Sequence, residues 1–197
     1  MHADQPLSAD PPGSPDLRAR LVDAGVELLA REGVQALTLR EIARRAGVSH
    51  GAPRRYFPTH LELLSAIARR GFTELAERAE EAMVILEVRP RVEQLARIYL
   101  EFAFDNPGMY ELMFRHDLLE SGHLGLRDTS LPLFSVLMES VGRVRPDADA
   151  GAVAGALWAN LHGVAQLWSW GSLQLATGSE DFGPILRAVL DAHLGTA

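Results

Sequence analysis

The sequence predicts an all-α fold, and three observations carry that prediction. Apolar residues recur at helical spacing, as in Leu17, Leu21, Ala24 and Leu28, which share one face at i, i+4, i+7 and i+11. Two Thr-x-x-Glu capping boxes, Thr38 to Glu41 and Thr59 to Glu62, open helices. Alternating runs of β-branched residues, the mark of half-buried strands, are absent. With 197 residues, 47% of them apolar, the chain is long enough for one or two packed domains.

Residues 1–15 are rich in Pro, Ser and Asp, lack the basic-then-apolar order of a secretion signal, and read as a disordered tail. The first helix follows the Leu17–Leu28 stripe and stops near Gly33. Thr38 caps a second helix, with Ile42 and Ala46 inward, that ends at Gly47 after about two turns. Ser49 is placed to cap a third, short helix to about Tyr56, and Pro53 should tighten its first turn and disfavour helical geometry at Ala52. Pro58 breaks the chain, Thr59 restarts it, and a long helix runs through Leu64, Ile67, Phe72 and Leu75 to about Met83.

Further on, Arg91 to Asp105 carries Leu95, Ile98, Tyr99 and Phe102 on one face, and "GMYELMF" is a short helix after the Asn106-Pro107 break. "HDLLESGHLGLRDT", residues 116–129, reads as a loop. Leu131 to Val141 is a helix ended at Gly142 and Pro146. Asp147 or Asp149 opens a long helix to about Leu175, and Phe182 to Leu194 is the last. No apolar run approaches the ~20 residues of a membrane helix. The absence of cysteine excludes disulfides and thiolate metal sites and fits a reducing cytoplasm.

Charge is distributed unevenly. The chain carries a net −7, yet "TLREIARRAGVSHGAPRRYFP", residues 38–58, holds five arginines against one acid. From Asp16 to Arg78, 11 arginines oppose 8 acids; elsewhere 8 oppose 18. A basic segment on an acidic body suggests an anionic partner for that segment alone, a solvated face being the alternative. Two short helices joined through Gly47 and Val48 make a helix-turn-helix, whose second helix can lie in the major groove of duplex DNA. Arg40 lies on the first turn of its helix, where helix-end amides also favour phosphate. Arg54 and Arg55 point about 100° apart, so one can reach a base edge and the other the backbone. The planar arginine fork reads guanine bidentately. Thr38, Ser49 and His50 offer hydrogen bonds to phosphate, Gly51 and Ala52 permit close approach, and Tyr56 brings a hydroxyl to the far end.

Residues 27–67, "ELLAREGVQALTLREIARRAGVSHGAPRRYFPTHLELLSAI", resemble the TetR family of bacterial transcription regulators, and the match extends over about Asp16 to Leu75. The resemblance implies a DNA-binding domain over 16–60 and a helical regulatory and dimerisation domain over 61–197. It implies a cytoplasmic homodimer, most simply a repressor, that leaves a palindromic operator when a small molecule binds. The chain departs from the family where Pro53-Arg54 replaces the frequent Leu-Tyr and His60 the frequent Lys. Arg54 would then make contacts of its own, and His60 would be a weaker, pH-sensitive phosphate contact. "LWANLHGVAQLW" is similar to a subgroup carrying Trp and then His-Gly, here Trp158, His162 and Gly163. Trp158 and His162 share a helix face at i, i+4 and serve a pocket, an interface or plain packing.

An effector pocket would be cut among Tyr99, Phe102, Tyr110, Met113, Phe114, Phe134, Met138, Trp158 and His162, since pockets form between helices of bundles; as core residues most of these need no explanation. The expected effector is small and mostly apolar. The last two long helices carry more apolar surface than outer helices of a monomer need. Val153, Leu157, Leu161, Val164 and Trp168 on one, with Phe182, Ile185, Leu186 and Val189 on the other, are the candidate two-fold interface. His116-Asp117 with His123 raises a metal-dependent phosphohydrolase as a rival, but that chemistry needs further ligands converging from several helices. No metal or cofactor is expected, nor is an enzyme: there is no nucleophile elbow and no Gly-rich phosphate loop. A helical interaction protein that does not bind DNA would leave the arginine concentration unexplained.

Overall fold

The computed structural model describes residues 15–115, 117–118 and 125–196, and among them every regular element is helical. The expected N-terminal tail up to residue 14, together with His116 and His123, lies outside the described residues. The chain divides into two compact units between Ile67 and Ala68. That division falls inside one unbroken helix, further along than the expected boundary after His60.

The first unit comprises α1 (Pro15–Glu32), a 3₁₀ turn (Val34–Ala36), α2 (Leu39–Arg45), α3 (Pro53–Tyr56) and the start of α4 (His60–Glu80). The stripe on α1 faces inward: Leu17, Leu21, Ala24 and Leu28 are all buried. Leu21, Leu28, Ile42, Phe57 and Leu63 are almost wholly removed from solvent, each contributing about 1.5–3 kcal/mol of burial. Both expected caps form. The Thr38 hydroxyl accepts the Glu41 amide at 3.2 Å, and the Thr59 hydroxyl accepts the Glu62 amide at 3.1 Å while donating to the Glu62 carboxylate. Gly47 ends α2 in the left-handed region, φ +70°, where a Cβ would be strained. Ser49 behaves differently from expectation. Its backbone carbonyl takes the Ala52 amide at 2.9 Å, and no side chain caps α3. Ala52 is held by that turn in helical geometry, and Pro53 follows as the first helical residue, where its missing N–H costs nothing.

The second unit holds the remainder of α4, a 3₁₀ turn (Glu81–Val84), α5 (Val88–Asp105), α6 (Pro107–Met113), α7 (Arg127–Val144), α8 (Ala150–Ser169), α9 (Ser172–Thr177) and α10 (Gly183–Leu194). Helix α8 is central and packs on α5, α7, α9 and α10. Asp149 caps it, accepting the Ala152 amide at 3.0 Å. Several boundaries differ from the sequence reading, among them the start of α5 at Val88 rather than Arg91. Helix α7 starts at Arg127 rather than Leu131 and keeps Pro132 inside it. It also runs through Gly142, whose missing side chain allows close packing: a Cβ there would stand 3.2 Å from that of Ala150. The helix expected to reach Leu175 breaks after Ser169, because Gly171 takes φ +73°, and α9 restarts at Ser172. Among the described residues, no helix is long and apolar enough to cross a membrane.

Candidate functional site

The helix pair presents its cations selectively. Arg44 is paired with Glu41 one turn back, and its guanidinium holds the Glu41 carboxyl below the usual carboxylate range. Arg45 is paired with Glu32 at 3.0 Å. Arg20 donates to the Ala46 carbonyl at 2.9 Å, which satisfies the end of α2 from α1. These contacts brace the motif. Arg40, Arg54 and Arg55 are exposed and, among the described residues, make no ion pair. Ser49, His50 and Gly51 form an exposed turn before them, with open space where a Gly51 side chain would stand. Ala52 and Tyr56 are half-buried, so they offer less surface than expected. His60 is drawn elsewhere: its Nε2 donates to the Leu37 carbonyl at 2.6 Å, so a neutral ring has no donor left for phosphate.

The second unit holds a half-open cavity of about 650 Å³, within the range that takes a drug-sized molecule. Four expected residues line it: Tyr99, Phe114, Phe134 and Trp158. Phe72 on α4 adds a fifth aromatic, and Leu75, Leu95, Ile98, Leu137 and Leu161 add aliphatic wall. The sequence shows these as generic stripe residues, so only the packing of α4, α5, α7 and α8 marks them out. Phe102 and Met113 do not reach the cavity. Both are fully buried, and Phe102 carries the Arg78 guanidinium 5.3 Å above its ring. Met138 lies instead on the surface, 38% exposed.

Tyr110 and His162 stand outside the lining and are tied to it by a polar cluster. The Trp158 indole donates to the Tyr99 oxygen at 3.2 Å; Tyr99 and Tyr110 hydroxyls are 2.9 Å apart; both approach His162 Nδ1, at 3.0 and 2.6 Å. Burial pushes the Tyr99 phenol up to about 12, against the bonds from Tyr110 and Trp158. Burial raises Tyr110 further, and burial lowers His162. At neutral pH the phenols are protonated and the imidazole is neutral, so Nδ1 accepts the proton of one phenol, and that phenol's oxygen accepts the proton of the other.

The expected dimer stripe is mostly the unit's own core. Leu157, Leu161, Val164, Leu186 and Val189 are buried within it, and Val153 and Ile185 are half-buried. Trp168 packs on Phe104 in a tilted contact and meets Phe182 edge-on, at 5.9 and 6.1 Å between ring centres. The physical reason is that α8 has four neighbours and its apolar stripe is spent on them. Its exposed face is instead Ala152, Ala156, Ala159, Asn160, Leu167 and the following Trp170, with Leu167 at 40% and Trp170 at 67% exposure. On α10 the exposed positions include Arg187, Ala188 and Ala192. The rival metal site rests on His116 and His123, which lie outside the described residues; among the described residues no three His, Asp or Glu side chains converge.

An all-α chain with a braced helix-turn-helix in one unit and an apolar cavity in the other defines a class: a helix-turn-helix protein with a sensor-like helical domain. Residues 21–67 match the profile described as bacterial regulatory proteins, tetR family, and residues 92–193 match the tetracyclin repressor-like C-terminal domain. The chain therefore belongs to the TetR family, whose members are DNA-binding transcription factors and not enzymes. It is 33% identical over 107 residues to the HTH-type transcriptional regulator SrpR of Pseudomonas putida, a stretch covering 48% of this chain and 50% of that protein. It is 30% identical over 113 residues to the nucleoid occlusion factor SlmA of Aliivibrio fischeri, covering 55% and 56% respectively. The chain thus spans about half the length of these curated relatives. Among solved structures, a protein of unknown function from Rhodococcus sp. RHA1 superposes with a TM-score of 0.72 at 27% identity, covering 94% of this chain and 97% of that one. The fatty acid degradation regulator FadR of Bacillus halodurans shares the fold, with a TM-score of 0.68 at 15% identity over 95% and 97%.

Proposed function

We propose that this protein is a cytoplasmic, homodimeric transcription regulator, acting most simply as a repressor. It reads an inverted-repeat operator through α2 and α3 and leaves it when a mostly apolar small molecule fills the cavity of the second unit. The observation that carries this reading is the division of the arginines. Two are consumed by acids, Glu41 within the motif and Glu32 at the end of α1, while Arg40, Arg54 and Arg55 stay exposed around the helix-turn-helix. Positive charge left unpaired on an acidic protein, at a motif that fits the major groove, serves phosphate and guanine.

The dimer reading moves to the face that α8 exposes. Ala152, Ala156 and Ala159 let a second copy approach closely, and Leu167 and Trp170 supply apolar area. A two-fold axis through that face gives the second reading head a palindrome requires. Effector response requires the ligand to bind one conformation better than another. Helix α4 belongs to both units, so a change in the cavity wall at Phe72 and Leu75 has a continuous element on which to act. Selection of bound duplexes from random DNA tests the reading. Enrichment of an inverted repeat supports it, and a failure to enrich any sequence would overturn it.

A further inference from the structure

The cavity wall is largely aliphatic, with one aromatic cluster and a single charged side chain set into it. Five aromatic side chains line it: Phe72, Tyr99, Phe114, Phe134 and Trp158. They form a continuous cluster, with Phe114 in ring contact with Phe72 (5.8 Å), Tyr99 (6.3 Å) and Trp158 (6.1 Å), and Phe134 in contact with Trp158 (6.1 Å). Aromatic faces carry the negative part of the ring quadrupole. Tyr99 brings no free proton to the wall, because its hydroxyl is held in the cluster with Tyr110 and His162 and its oxygen already accepts the Trp158 indole. Among the described residues, Glu80 is the only charged side chain lining the cavity, and no arginine or histidine lines it. Glu80 is exposed, so its carboxylate is hydrated while the cavity is empty and pays little for being there.

Such a wall discriminates by charge. An anionic head would meet a carboxylate and aromatic faces with no counter-charge, and a cation would meet attraction from each of them. We propose that the cavity takes a lipophilic monocation, an aromatic or branched apolar molecule with a single positive charge, for which Glu80 is the counter-charge and the Phe72–Tyr99–Phe114–Phe134–Trp158 cluster the apolar and cation-binding wall. This rests on the reading of the cavity as the effector site and narrows it to one ligand class.

The test uses two probes of nearly the same size and shape and opposite charge, tetraphenylphosphonium and tetraphenylborate, titrated calorimetrically into the full-length protein without DNA. The expected result is phosphonium affinity higher than borate affinity by on the order of tenfold, the combined effect of one screened ion pair and aromatic contacts. Glu80→Gln should weaken phosphonium binding several-fold and leave borate binding unchanged or tighter. Trp158→Ala should weaken the phosphonium too. Equal or tighter borate binding, binding of neither probe, or undiminished phosphonium binding in Glu80→Gln would overturn the proposal. The same preparation is assayed for operator binding in the absence of any probe. A protein that binds its operator yet fails the charge test loses only the cation assignment, whereas one that selects no DNA sequence fails the regulator reading itself.

Discussion

Arg54 occupies a position where the family often has tyrosine, on a helix of one turn, exposed and unpaired. Arg54→Ala should weaken operator binding by about 1–3 kcal/mol and relax preference at one base pair if it reads guanine; as a phosphate contact it would cost every sequence alike and lower the salt slope by about one. Fluorescence anisotropy over a salt series separates the two, and an unchanged affinity contradicts the assignment. Gly51 gives a complementary test. Open space surrounds it and its φ is not positive, so Gly51→Leu should leave thermal unfolding close to wild type and yet obstruct DNA approach. His162 supplies a pH signature. Burial against Tyr99 and Tyr110 lowers its pKa, so as pH falls below the ordinary value near 6.5 the unfolded chain takes up a proton that the fold resists. Stability should therefore fall from pH 7 toward pH 5, with a shallower fall in His162→Gln, as denaturant titrations would read. Residue identity was enough to nominate Arg40, Arg54 and Arg55. It was not enough to show His60 committed to the Leu37 carbonyl, a contact made across 23 positions of chain.

Helices whose ends are written in side chains were legible. Thr38, Thr59 and Asp149 cap as their types and spacing require. Glycine was ambiguous, because it serves both to stop a helix and to let helices touch. Gly47 and Gly171 stop theirs, while Gly142 stays inside the last turn of its helix and sits against Ala150. The inward turn of α8 was also hidden. A stripe of Val, Leu and Trp looks the same whether it faces a partner copy or its own core, and only the packing of α5, α7, α9 and α10 decides. This changes the expected outcome of mutation. Leu161→Glu places a charge at a buried position on the cavity wall, so it should cost several kcal/mol and unfold or empty the unit. Ala156→Glu on the exposed face should keep the fold within roughly 0.5 kcal/mol and separate the copies. Light scattering combined with circular dichroism distinguishes them, and an Ala156→Glu protein that remains dimeric would move the interface elsewhere.

At the scale of the whole molecule, the all-α class and the DNA-binding half were readable because capping, charge and turn residues agree in one register. The cavity was half readable: Tyr99, Phe114, Phe134 and Trp158 reach it, but Phe72, Leu161 and Glu80 come from faces whose role appears only once four helices are packed. The central claim is that two copies of this chain, each reading one half-site, hold one operator duplex. Sedimentation analysis of the protein mixed with its selected inverted-repeat duplex measures this most directly. The account predicts a complex containing two 21.5-kDa chains per duplex, absent with a scrambled duplex and lost in Ala156→Glu. One chain bound tightly per duplex, or equal binding to the scrambled sequence, would contradict it.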